Sequence, residues 1–277
     1  MRKIMILLAI IIVGMLIPAG FSTSDTQAVI TYGETTHHNA GYKNIVDTFF
    51  VKQSGVDLHG VDSKIITANN VNKISRDITG KTYSSNQIYS SALVDLNEND
   101  DLEVSVDKSK ITTITGNMYL SALKSAGIRA GHVYVTSPVT ATGESALAGI
   151  MNSYEAATDT KIPDNIKEAA NNEIYTQAEI VENSDVNADE LSKLVDDVKE
   201  EVVENNITDH QTIVNIINNY TVINNINITN SDIENLAESI EQIQNVQGDV
   251  NTYQTEVSNV LNNTTDSTAG GLFGLFN

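Results

Sequence analysis

Strand signals stop at Ala157. Before that point the chain carries several short β-branched or alternating runs. From Pro163 onward its apolar residues recur only at helical spacing. Strands and helices sorted along a chain in this way give an α+β fold. We expect a mixed β-sheet with helices in the N-terminal half and an all-helical C-terminal half. The expected divisions are a signal peptide or N-terminal anchor over 1–28, an α/β domain over 29–158, a helical region over 159–263, and a flexible Gly-rich apolar tail over 264–277.

The densest local signals lie between Ile111 and Ala157. Thr115 suits an N-cap, because its hydroxyl can accept from a free amide of the first turn. Tyr119, Leu123 and Ala126 follow on one helical face. Gly127 stands where a left-handed residue closes a helix, and Ile128 can supply the apolar contact beyond it. His132 to Thr136 is β-branched and aromatic and reads as a strand, which Pro138 stops. Thr142 can cap a second helix, with Glu144 favoured in its first turn by the helix dipole. Leu147, Ile150, Met151 and Tyr154 form its buried stripe. Gly143, Ala146, Ala148 and Gly149 keep that helix slim enough to lie close to a sheet.

Five segments of this block carry a family resemblance: Met118-Tyr119-x-x-Ala122-Leu123, Ser125-Ala126-Gly127-Ile128, Val133-x-Val135-x-x-Pro138, Gly143-x-Ser145-Ala146-Leu147-Ala148-Gly149-Ile150, and Tyr154-Glu155. The block resembles the YpuA-like family, a domain of unknown function in secreted proteins. Weaker similarity runs from about Val29 to about Leu261. The chain departs from the family pattern at Asn70-Val71-Asn72-Lys73-Ile74, where an acidic pair usually precedes Tyr-Leu. The resemblance implies a fold and an exported location. It implies no catalytic residue.

Ahead of that block, Val29 to Tyr32 reads as a strand ended by Gly33, with His37-His38 in a polar loop. Tyr42 to Gln53 is a helix stopped by Gly55, Lys64 to Thr67 a strand, and about Asn70 to Ile78 a helix. Ile88 to Leu96 and Leu102 to Val106 alternate as strands, and the polar run Asn97 to Asp101 reads as a hairpin between them. Asp95, Asn97 and Asn99 have the opening spacing of a calcium loop. Its sixth position is Asp100 rather than glycine, and its twelfth is Val106 rather than glutamate, so a turn is expected and calcium binding should be weak. In the second half Pro163 opens a helix, and Asn187 to Glu204 is amphipathic. Thr208-x-x-Gln211 and Thr229-x-x-Asp232 are capping-box patterns. Gly248 is expected to break the helix after Thr229, and Val250, Tyr253, Val257 and Leu261 make a last stripe.

Composition bounds the function. There are 16 basic and 36 acidic residues, net −20, and no basic cluster, so nucleic acid is excluded as a partner. The chain has no cysteine, which removes thiol catalysis, thiolate zinc sites and disulfides. Met1-Arg2-Lys3 followed by 14 apolar residues from Ile4 to Ile17 reads as an export signal, too short for the ~20 residues that span a bilayer. Cleavage would leave no transmembrane domain. A retained helix tethering the chain to the membrane is the alternative.

Chemistry is sparse. Gly143-Glu144-Ser145-Ala146-Leu147 approaches a nucleophile elbow, but Leu147 stands where glycine is needed, and only His210 follows it as a base. The loop Pro138, Thr142, Gly143, Glu144, Ser145 is the candidate ligand site, since it leaves a strand and opens a helix whose first amides lack helical partners. Asn206, Asn219, Asn227, Asn262 and Asn263 head glycosylation sequons. Asn219 is the weakest because it falls inside a helix. No catalytic, cofactor-binding or metal-binding residue is assigned. We expect an exported, non-catalytic protein that binds or scaffolds an envelope component. An enzyme with a dispersed site and a divalent-cation binder are the alternatives.

Overall fold

A computed structural model describes residues 28–96 and 101–259. The elements run β1 (Ala28–Gly33), α1 (Glu34–His37), α2 (Ala40–Ser54), β2 (Asp62–Ile66), α3 (Ala68–Thr79), β3 (Ser91–Asp95), β4 (Leu102–Val106), α4 (Gly116–Ser125), β5 (Gly131–Thr136) and α5 (Glu144–Thr158). Then come α6 (Asp164–Asn183), α7 (Ala188–Glu204), α8 (His210–Asn224), α9 (Asn230–Asn245) and α10 (247–259). The fold is α+β. The strands form one mixed sheet in the N-terminal half, and among the described residues the C-terminal half is helical.

The sheet order is β2-β1-β3-β5-β4. β1 pairs parallel with β2 and antiparallel with β3. β5 pairs antiparallel with β3 and parallel with β4. This corrects the expected hairpin between Ile88–Leu96 and Leu102–Val106, because β5 lies between the two strands. Val133 and Val135 on β5 are fully buried, so β5 takes a partner on each side. β4, with Glu103 exposed, becomes the edge.

Alternation splits the sheet between two cores. Ile30, Tyr32, Leu93 and Tyr134 face α2 through Val46 and Phe50. Ala92, Val94, Val133 and Val135 face α4 and α5. α5 lies close to β1 because Gly149 has no side chain; a Cβ there would sit 2.9 Å from Thr31 Cγ2. Ser153 and Thr31 share a 2.6 Å hydrogen bond across that contact.

The helical half is not separated from the sheet half by a break in the core. The cluster behind the sheet continues through Ile166, Ala170 and Ile174 of α6 into Val250, Tyr253 and Val257 of α10. A second cluster holds α7, α8 and α9 together, with Ile180 from the far end of α6. A buried polar network joins the two halves. Glu173 on α6, 1% exposed, accepts from Ser125 on α4 at 2.6 Å and from Lys199 on α7 at 2.8 Å. Ser121 also bonds Glu173, and Lys199 donates to Ser121 Oγ at 2.6 Å.

Most helix ends follow their local signals. Thr115 accepts from the Met118 amide. Gly127 has φ +80, its amide donates to the Lys124 carbonyl and the Ile128 amide to the Leu123 carbonyl, which is the Schellman arrangement. Thr229 and Asp232 form a reciprocal capping box. Three ends differ. α5 is preceded by Gly143 rather than capped by Thr142, whose hydroxyl donates to Glu144 instead. His37 belongs to the short α1 rather than a loop. The break after α9 comes at Val246, and Gly248 lies inside α10.

Candidate functional site

The loop proposed from sequence is turned inward. Pro138, Gly143 and Glu144 are buried, and Thr142 and Ser145 are half-buried. Its backbone zips onto the segment ahead of α4: Thr112 N donates to the Ala141 carbonyl and Ile114 N to the Thr142 carbonyl, each at 3.0 Å. Gly143 has φ +107, and its carbonyl accepts from Tyr119 Oη at 2.5 Å. The start of α5 thus has its own anion, the side chain of Glu144, rather than an open cradle.

Glu144 is 3% exposed and gathers partners from distant segments. Tyr83 Oη donates to it at 2.8 Å and Thr142 Oγ1 at 3.0 Å. Lys81 Nζ lies 3.5 Å from Glu144 and 2.8 Å from Glu182. Burial alone would lower the Lys81 pKa, but the Glu182 hydrogen bond and the Glu144 charge hold it above the ordinary lysine range. Burial, then the same carboxylate, pushes the Tyr83, Tyr119 and Tyr175 hydroxyls up, so they remain protonated donors at physiological pH. This cluster pins the segment after α3 to α5 and α6.

Next to it a cleft opens to solvent. Ala148 lies one helical turn beyond Glu144 on α5, and with Asn152 it lines a cavity of ≈ 510 Å³. α3 contributes one wall through Asn70, Lys73, Ile74 and Ile78. α6 contributes Lys167, Glu168, Asn171 and Asn172. α9 adds the opposite wall through Asn235, Glu238 and Gln242. Some of these groups are committed within the fold. Asn172 donates to Gln242 at 2.6 Å, and Lys167 pairs with Glu155 at 2.9 Å. Lys73, Asn152, Glu168, Asn235 and Glu238 have no side-chain partner among the described residues.

Sequence reasoning missed this cleft, because its walls come from four helices between Asn70 and Gln242 and no local pattern links them. One signal was present: Asn70-Val71-Asn72-Lys73-Ile74, the segment that departs from the family pattern, supplies the α3 wall.

The remaining candidates do not converge. Ser145 sits in the first turn of α5, while His210 opens α8 and contacts Glu234 at 2.9 Å and Glu241 at 3.0 Å, so no elbow triad forms. His132 bonds Ser105 and stacks on Tyr134. Asp95 is buried in β3, and Asn97 and Asn99 lie outside the described residues. Among the described residues no group of three or more His, Asp or Glu could hold a metal ion. Asn206 and Asn227 are exposed in inter-helix turns, and Asn219 is exposed on α8. Asn262 and Asn263, the expected apolar tail and residues 1–27 of the expected signal segment lie outside the described residues, while Ala28, placed at the end of that segment, is the buried first residue of β1. Among the described residues no helix is long and apolar enough to cross a membrane.

His210 makes one testable contribution. Its hydrogen bond to Glu234, opposed by slight desolvation and aided by Glu241, raises its pKa above 6.5. The stabilisation is therefore fully present below that value and is lost as pH rises through the raised folded-state value. His210→Gln should lower Tm at about pH 5.5 and leave it nearly unchanged at about pH 9, by under about 1 kcal/mol for so exposed a pair. Equal losses at both pH values would refute the charged bridge.

Comparison with known proteins agrees with the sequence resemblance. A family described as protein of unknown function, DUF1002, matches residues 32–260. The uncharacterized protein YpuA of Bacillus subtilis (strain 168) is 31% identical over 163 residues, 58% of this chain and 56% of the relative. The match thus takes in little more than half the relative's length. No solved structure matches.

Proposed function

This chain belongs to the DUF1002 family, and on that premise we propose that it is an exported envelope or extracellular protein that binds a small ligand in the cleft between α3, α5, α6 and α9 without acting on it chemically. The observation that carries the reading is the cleft itself. Its ≈ 510 Å³ falls within the range of small-molecule sites, and charged and amide groups on its walls lack partners among the described residues. Binding is favoured over catalysis by where the buried carboxylates are spent. Glu144 is held by Tyr83, Thr142 and Lys81, and Glu173 by Ser125 and Lys199, each inside the fold. Export is supported by the basic start and the 14-residue apolar run.

Two measurements test this. N-terminal sequencing of the protein from culture should find a mature chain beginning between Gly20 and Val29; an intact Met1 in membrane fractions would establish a tether instead. Native mass spectrometry of that protein should reveal a non-covalent adduct that Asn152→Trp, which fills the cleft, removes. An adduct unaffected by this change would place binding elsewhere.

A further inference from the structure

The chemistry of the cleft walls narrows the ligand, given that the cleft is a binding site. Their polar side chains are mainly carboxamides: Asn70, Asn152, Asn172, Asn235 and Gln242 among them. A carboxamide carries an acceptor oxygen beside a donor nitrogen, the same pair that a peptide unit presents. The fold already uses this match on α3. Asn72 accepts from the Tyr83 backbone amide at 2.6 Å and donates to the Tyr83 carbonyl at 2.7 Å, gripping one residue of extended chain at two points. Asn70 and Lys73, on the same helix, face the cleft.

Not every amide is available. Asn172 and Gln242 bond each other, and Asn70 Oδ1 accepts from the Thr67 amide at 3.1 Å. Asn152 on α5 and Asn235 on α9 are uncommitted. The same holds for Lys73 on the α3 wall, Glu238 on the α9 wall and Glu168 on α6, so the uncommitted charges are one positive and two negative. Ile66, Ile74, Ala148 and Met151 give the cleft an apolar side suited to aliphatic groups. No aromatic side chain lines it, so it offers no stacking platform for a nucleobase or a sugar ring.

We propose that the cleft binds short peptides with free termini and no acidic side chains. Asn152 and Asn235 hold the backbone amides, Lys73 receives the terminal carboxylate and Glu238 the terminal ammonium. The inference rests on the cleft being the binding site, and its test separates the two.

The purified full mature chain is incubated with a mixture of free-ended tetrapeptides bearing no acidic side chains, and in parallel with chitotetraose; bound masses are read by native mass spectrometry. A captured peptide is then titrated calorimetrically. Peptide binding should weaken about fivefold or more when both termini are capped, as expected for two ion pairs at a solvated site. Lys73→Met should abolish the further effect of amidating the C-terminus, while Asn152→Leu should weaken capped and uncapped peptide alike. Capture of chitotetraose but no peptide would overturn the ligand class and leave the cleft as a binding site. Capture of neither would overturn both. Peptide binding insensitive to Lys73→Met and to capping would overturn the assigned contacts.

Discussion

Glu173→Ala is expected to destabilise the protein by about 3–5 kcal/mol, the cost of stripping one partner from a buried ion pair. Glu173 is 1% exposed and Lys199 12%. Removing the carboxylate leaves the Lys199 ammonium among two serine hydroxyls, with only the half-exposed Asp196 at 3.1 Å to balance it. Ser125 also loses its acceptor at 2.6 Å. The damage falls where α4, α6 and α7 meet, so sheet half and helical half should loosen together in a single transition. Lys199→Met should also destabilise, leaving Glu173 buried without its counter-charge. Glu173→Leu combined with Lys199→Met should recover much of the loss, because an apolar pair needs no hydration. Urea unfolding of Glu173→Leu, Lys199→Met and the double variant, beside Glu173→Ala, measures this. A double variant as unstable as the sum of the singles would mean that no coupling exists at this site.

Gly143→Ala should cost about 3 kcal/mol through two separate effects. At φ +107 a side chain strains the backbone by about 1–3 kcal/mol. Its Cβ would also stand 2.7 Å from Ile111 Cγ2 and 2.7 Å from Tyr119 Oη, an overpacking worth about 1–3 kcal/mol. Tyr119 cannot simply move aside, since it is fully buried and its hydroxyl bonds the Gly143 carbonyl. Gly55→Ala is the control. Gly55 has φ +72 with no atom within 4 Å of the added carbon, so it bears the strain alone. Tm should fall by roughly 6–12 °C for Gly143→Ala, taking about 2–4 °C per kcal/mol at this chain length, and clearly less for Gly55→Ala. Equal falls would show that packing around the loop is loose.

The same loop marks where legibility from sequence ends. Gly143 and Glu144 could be singled out because a strand-to-helix junction has a local signature. That the junction would close on itself could not be read, because the groups that close it are remote. Tyr83 and Lys81 lie more than sixty residues before Glu144, and Glu182 lies on another helix. The cleft was further out of reach. Each wall reads as an ordinary polar helix face, and only the packing of α3 and α9 against α6 turns the faces toward one another.

What the sequence determined by itself was whatever the backbone decides within a few residues. The Thr115 cap, the Gly127 closure and the Thr229–Asp232 box each satisfy orphan amides or carbonyls at a helix end. Period-two and helical spacing sorted strands from helices on either side of Ala157, because a buried face imposes its repeat on any element that covers it. Tertiary structure alone decided which strand lies beside which. The short polar connection favoured pairing β3 with β4. The sheet placed β5 between them, since fully buried Val133 and Val135 leave backbone that water cannot reach and that needs a strand on both sides. Local signals specify how an element begins and ends; its neighbours are chosen by burial, summed over segments that the chain order keeps apart.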